Sequence, residues 1–237
     1  MNYQTGKQIT SSMGTPLMTA ICLILAIMTN SCAISDQIDF KSEHAAISLG
    51  SYDLEHFGIG FLTPSAATGR EADKQALAMS FSLKLQEMRP EVTVMPLPHV
   101  LSAMNAADLD VEYKQMYRDY LETGILEGSI LKWISDVVGV RYFAQLSLSS
   151  FGQTSKGRFS LLGLKISHTE VANLRVFVQI WDAHNAKIAW EGFTEMNYAY
   201  DTSAEKPITF AYISQIAAEQ LFSELPGANE LPEADEK

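Results

Sequence analysis

From Val140 the hydrophobic residues recur at every second position, and no other feature of this chain limits its fold as strongly. Val140, Tyr142, Ala144, Leu146 and Leu148 alternate with Arg141, Phe143, Gln145 and Ser147, the period of a strand that sends successive side chains to opposite faces; a half-buried strand is expected. Leu174, Val176, Val178 and Ile180 repeat the pattern against Arg175, Phe177, Gln179 and Trp181. Asp182-Ala183-His184-Asn185 then turns the chain into Ile188, Ala189 and Trp190, so the pair reads as a long antiparallel hairpin. Its phase puts Trp190 on the same core-facing side as Ile188.

Helical periods surround this hairpin. His56 to Leu62 is a short apolar run stopped by Thr63-Pro64 and reads as a buried strand. Thr68 and Glu71 have capping-box spacing ahead of Leu77, Phe81, Leu85 and Met88, which recur at helical steps until Pro90. Val92 to Met95 restarts as a strand. A helical stretch from about His99 to Val138 carries two stripes: Tyr113, Met116, Tyr117, Tyr120 and Leu121 up to Thr123-Gly124, then Ile130, Leu131, Ile134, Val137 and Val138 up to Gly139. A last helix, from about Pro207 to Leu225, places Ile213, Ala217, Leu221 and Leu225 four apart. The expected class is α/β (α+β): one mixed, largely antiparallel sheet packed with helices, in a single domain over residues 52–225.

The N-terminal segment speaks to location. Leu17 to Met28 is an uncharged apolar run of twelve residues, preceded by a leader whose only side-chain charge is Lys7 and closed by Thr29-Asn30-Ser31-Cys32. As a helix it would rise about 18 Å, short of the ~30 Å hydrocarbon core, so it reads as a secretory signal over residues 1–31 rather than a spanning anchor. Ser31-Cys32 matches the junction of a bacterial lipoprotein signal, with Thr29 where such signals usually carry Leu. Cys32 is therefore the expected lipid-attachment residue, with ordinary signal-peptidase cleavage near Ser31 or Ala33 as the alternative. Two or more acyl chains make a stable anchor. Residues 32–51 lack periodicity and read as a flexible tether, and 226–237, acidic with two prolines, as a disordered tail.

Composition bounds the partners. Removing Lys7 with residues 1–31 moves the formal charge from −11 to −12, which disfavours nucleic acid and anionic lipid headgroups. With Cys22 in the removed run, no disulfide and no cysteine metal site can form. The five histidines, at 44, 56, 99, 168 and 184, lack the spacing that places two ligands on one helix face. Asp108, Asp110 and Glu112 alternate like a calcium loop but lack its glycine and terminal Glu. The loop Thr63 to Arg70, with one glycine, reads as a plain connection rather than an anion cradle. Glu55 with His56, and His168 with Glu170, are the nearest approach to acid–base pairs, and neither establishes a pocket. No catalytic residue, metal or cofactor is expected.

Gly152 to Glu170 separates two clear strands by too many residues for a tight turn. Lys156 and Arg158 lead into Phe159, Leu161, Leu162, Leu164 and Ile166, an apolar group that, if exposed, marks a partner-binding surface; a further core strand is the alternative.

Three stretches together resemble the CsgG-like family of bacterial envelope lipoproteins, which includes curli secretion, PelC-type and LpoB-type proteins. They are Ile59-Gly60-Phe61-Leu62-Thr63-Pro64, Ile134 to Phe143 (ISDVVGVRYF) and Ile180 to Trp190 (IWDAHNAKIAW). Relatives typically carry Thr-Gly in the last turn, where this chain has Asn185-Ala186. The resemblance spans roughly residues 56–225 and implies a CsgG-like, anticodon-binding-domain-like sheet. It further implies a periplasmic lipoprotein that binds envelope proteins or itself. Ala33 and Ile34, where enterobacterial sorting would read Asp for inner-membrane retention, point by the same resemblance to the outer membrane. A non-catalytic binding or assembly factor leads over a secretion-pore subunit and over an enzyme with an unrecognised site.

Overall fold

A computed structural model describes residues 37–67, 70–161, 164–202 and 208–227. The frame is one mixed sheet. Its strands are β1 (Gln37–Ala46), β2 (Ile59–Phe61), β3 (Ser65–Ala66), β4 (Val94–Met95), β5 (Tyr142–Leu161), β6 (Leu164–Asp182) and β7 (Lys187–Thr202), and its helices are α1 (Asp53–Phe57), α2 (Glu71–Met88), α3 (Leu97–Ala106), α4 (Asp110–Thr123), α5 (Gly128–Val138) and α6 (Phe210–Phe222). The strand order is β1-β7-β6-β5-β2-β4, with β3 also on β5. The β1–β7–β6–β5 pairs are antiparallel, while β2, β3 and β4 join in parallel.

One face of the sheet carries the residues that the alternation selected. Tyr142, Ala144, Leu146 and Leu148 of β5 pack with Leu174, Val176, Val178 and Ile180 of β6 beneath Leu77, Phe81 and Leu85 of α2 and Ile213, Ala217 and Leu221 of α6. Phe81 and Phe222 meet edge to face at 5.5 Å between ring centroids, joining the two helices. The start of β5 is buried on both faces rather than half-buried. Phe143 and Trp181 enter a second core with Val100 and Met104 of α3, Met116 of α4 and Leu131 and Ile134 of α5. Each of these large apolar side chains gains about 1.5–3 kcal/mol from burial.

Several sequence expectations change. The tether is not free of structure: ten of its residues form β1, paired from Gln37↔Ala199 to Ala46↔Trp190. Ile38 and Phe40 lie opposite Tyr198 and Met196, while Asp39, Lys41 and Glu43 occupy the alternate positions. Two apolar residues are too few to register as a period, yet they suffice for a charged edge strand. The stretch from His99 to Val138 is three helices, broken where Asp108 takes φ 55° and where Gly124 takes φ 73°. Within its second stripe Val137 is exposed. The helix α2 starts after Arg70, which gives it no side-chain cap bond but whose Nε bonds Asp73 Oδ2 at 2.8 Å; Thr68, the expected cap, lies outside the described residues.

Trp190 is fully buried as expected, but Ile188 belongs to the opposite face. Ile180 pairs with Trp190 and Trp181 with Ile188, leaving Ala189 as an unpaired bulge residue, and a bulge inverts the phase of everything beyond it. The Ala189 carbonyl accepts the N–H groups of Ile47, Ser48 and Leu49 at 2.9, 2.9 and 3.1 Å, fixing the exit of β1. Gly152 to Glu170 is no loose connection either: β5 and β6 continue through it, paired as far as Leu161↔Leu164. Of the tail, Pro226 accepts a bond from Arg89 at 3.4 Å, and residues 228–237 lie outside the described part.

Candidate functional site

The sheet has two unlike ends. At one, β5 and β6 overhang the rest. Gln37, the first residue of β1, is level with Ala199, Val171 and Thr154. Beyond that level the β5–β6 pair runs from Thr154↔Val171 to Leu161↔Leu164, roughly 20 Å at about 3.3 Å per residue, while β7 stops at Thr202 opposite His168. Register shifts at Gly157/Phe159 and Phe159/Ser160 add twist there. Phe159, Leu161, Leu164 and Ile166, four of the five predicted partner-binding residues, therefore sit at the end of a paired hairpin; Leu162 lies outside the described residues, as does Cys32. Between Lys156 and Thr169 the sequence holds Lys156, Arg158 and Lys165 and no acid.

At the other end a compact polar latch closes the β6–β7 turn. Arg141 donates from Nε to Asp182 Oδ1 at 2.8 Å and from Nη2 to Oδ2 at 2.6 Å. The same carboxylate accepts the His184 backbone N–H at 3.0 Å and the Asn185 amide at 2.7 Å. Burial would push the Asp182 carboxyl up, but these bonds, that of Arg141 foremost, outweigh it and hold it below the ordinary carboxylate range. In turn Asp182 raises Arg141 above its ordinary value. Tyr142, pushed up by burial and by Asp53, donates its hydroxyl to Asp53 Oδ2 at 3.0 Å. The Arg141 guanidinium also lies 5.0 Å from the Phe57 ring centroid and 5.3 Å from that of Tyr142.

This bidentate, charge-assisted arrangement fixes the turn rather than leaving groups for chemistry. A shallow cleft of ≈ 350 Å³ beside it is lined by His56, Ser135, Asp136, Arg141 and His184, among others. Sequence reasoning did not bring His56 and His184 together, because one lies in the last turn of α1 and the other in the β6–β7 turn. Three of the other polar groups there are also engaged: His56 Nδ1 lies 2.8 Å from the Tyr52 carbonyl, Ser135 donates to the Val140 carbonyl at 2.7 Å, and Lys132 bonds both oxygens of Asp136 at 2.9 Å.

The other sequence candidates are placed as follows. Asp110 and Glu112 lie in the first turn of α4, with Asp108 just before it. Ser65 and Ala66, inside the Thr63–Arg70 loop, form β3 on β5. Glu170 is buried on β6, two residues after His168. Among the described residues no three His, Cys, Asp or Glu are grouped as metal ligands, and no helix is long and apolar enough to cross a membrane.

The fold thus defines an α+β protein built on a single mixed sheet. No family model matches the chain, and no curated protein matches it. Among solved structures it is similar to a PelC dodecamer from Paraburkholderia phytofirmans, at 8% identity and a TM-score of 0.40 over 81% of this chain and 99% of that one. It is also similar to the lipoprotein GNA1162 from Neisseria meningitidis, at 12% identity and a TM-score of 0.35 over 68% of this chain and 94% of that one.

Proposed function

We propose that this protein is a lipoprotein of the bacterial envelope, anchored through Cys32 in the outer membrane and facing the periplasm. It acts there as a non-catalytic binding or assembly factor in envelope biogenesis or export, without metal or cofactor. The observation that carries the reading is the twelve-residue apolar run closed by Ser31-Cys32, five positions before a strand fixed in the sheet. The resemblance of three stretches to CsgG-like envelope lipoproteins agrees with it, and so does the commitment of the latch side chains to one another. Its partners are envelope proteins or further copies of itself, not nucleic acid. Mass spectrometry of the mature N-terminus, with crosslinking and pull-down from intact cells, tests this. An acylated peptide starting at Cys32 and recovery of envelope proteins are expected; an unmodified N-terminus at or after Cys32 overturns the anchoring.

A second reading, a pore subunit, is favoured by the overhanging hairpin alone. Membrane strands need about 9–11 residues with an apolar outer face. On β6 Leu164 and Ile166 are followed in the same phase by His168 and Glu170, and the alternate positions are Lys165, Ser167 and Thr169. Neither phase is apolar for long enough to span.

A further inference from the structure

We propose that the free edge of β1 is where two copies of this chain pair, antiparallel and edge to edge, with Lys41 of each opposite Glu43 of the other. The inference rests on the reading of the chain as a binding factor and names for it one surface and one occupant, a second copy. It does not depend on the anchor.

The strand β1 ends the sheet, and among the described residues no strand pairs with its outer side. An antiparallel edge strand bonds its neighbour through alternate residues and turns the N–H and C=O groups of the others outward. Natural edges are commonly closed to further pairing by shortness, by proline or by a bulge. β1 has none of these. It runs for ten residues without proline or glycine, its register with β7 is unbroken from Gln37↔Ala199 to Ala46↔Trp190, and all of it but Phe40 and Ser42 is exposed. What it carries instead is a charge at every second position, in the order Asp39, Lys41, Glu43, on one face of the sheet.

Those charges select both the occupant and the register. Outward groups of two identical edges meet only when odd residues face odd and even face even, which excludes a slip of one. Of the registers that keep nearly the whole strand paired, the one centred on Lys41 sets Lys41 against Lys41 and Asp39 against Glu43, all like charges. Centring the pair on Ser42 instead sets each Lys41 against Glu43 of the other copy, twice over by symmetry, and Asp39 against Ala45. The same register puts Ile38, 42% exposed, opposite Ala46. A strand of one charge sign would meet both a like and an unlike charge on this edge; a second copy meets unlike charges only.

The helices leave room for the pair. Tyr212 of α6 stands edge-on to Tyr198 of β7 with 5.8 Å between ring centroids, so α6 lies over β7. In the pair the two β7 strands are three strand spacings apart, about 14 Å, beyond the roughly 8–10 Å between packed helices. The two α6 helices clear one another.

The test weighs the full-length protein in detergent by native mass spectrometry and analytical ultracentrifugation through a dilution series, as the parent, Lys41→Glu, Glu43→Lys and an equimolar mixture of the two variants. Both side chains are at the surface, 70% and 72% exposed, so each variant should keep the circular dichroism and melting of the parent. The parent is expected to dimerise, and each single variant to raise the dimer dissociation constant about tenfold or more. Mixing should restore pairing as the heterodimer, in which both contacts unite unlike charges again. That rescue cannot come from the 3.6 Å contact of Lys41 with Glu43 inside one chain, which mixing does not repair. If a reversal unfolds the chain, hydrogen exchange on the parent decides: β1 amides that exchange freely in the dilute monomer should slow as the dimer forms, and unchanged exchange overturns the pairing. A parent that stays monomeric up to about 100 μM overturns it too, and if its β1 amides slow only on adding envelope extract, the occupant is another chain's strand. A dimer that the single variants leave intact, or that mixing fails to rescue, overturns this edge and register. Intact mass and pull-down are read separately, so a monomer that is acylated or captures envelope proteins leaves the proposed function standing without this inference.

Discussion

Trp190 and Ala186 show how single residues carry this fold. Trp190 is 0% exposed, stacked against His44 at 6.4 Å and laid over Gly192, where an added Cβ would come within 2.3 Å of the indole. Trp190→Ala should therefore cost about 3–5 kcal/mol in a denaturant titration. Gly192→Ala, which displaces the same ring, should also lower the midpoint. Ala186 sits in the β6–β7 turn at φ 52°, where a Cβ is strained by about 1–2 kcal/mol. Ala186→Gly should consequently stabilise the protein by up to about 1 kcal/mol, the gain being reduced by the added freedom of the unfolded chain.

The Arg141–Asp182 pair is the residue-scale source of acid sensitivity. Because the Asp182 carboxyl is held below its ordinary range, its contribution is fully present above the unfolded carboxylate value near 3.9 and is lost as pH falls through the folded value. Asp182→Asn should remove that acid-side dependence from a stability-versus-pH profile and lower stability at neutral pH by about 2 kcal/mol, less than a fully buried pair because Arg141 keeps contact with water. An unchanged acid limb would assign the dependence to other carboxylates. The pair could not be read in the sequence, since Arg141 and Asp182 are 41 positions apart; only the pairing of Tyr142, the first residue of β5, with Asp182, the last of β6, brings Arg141 beside it.

At the scale of elements, the long helices and the paired strands were legible because each carries enough apolar residues to show its period. Leu77, Phe81 and Leu85 declared α2, and Val176, Val178 and Ile180 declared β6. β1 was hidden because its apolar content is Ile38 and Phe40 followed by Ser42 and His44; its pairing with β7 is a long-range fact. The bulge at Ala189 was equally invisible, and it alone moved Ile188 to the second core. Hydrogen exchange checks the strand: amides of residues 37–46 should show alternating protection, as an edge strand bonds on one side only. Uniformly fast exchange would restore the tether. At the candidate site the sequence suggested a connection where the backbone continues as two paired strands as far as Leu161↔Leu164, because the glycines and basic residues there break the period that marks β5 and β6 elsewhere.

For the whole molecule, charge and topology sort together. The full chain carries a formal charge of −11, and β1, with Asp39 and Glu43 on either side of Lys41, starts level with Thr154 and Val171. If the domain works by holding partners near a membrane, its orientation matters as much as its affinity.

The antiparallel register of β1 also has a mechanical meaning. A load arriving through residue 37 pulls along the strand axis, away from the end at which β1 is fastened to the Ala189 carbonyl. The ten residues of the β1–β7 ladder are then strained together in shear, so they must fail almost at once. A pull from Ala46 across the sheet would instead peel them one after another. An anchor at Cys32 would therefore load β1 from the end that resists tearing.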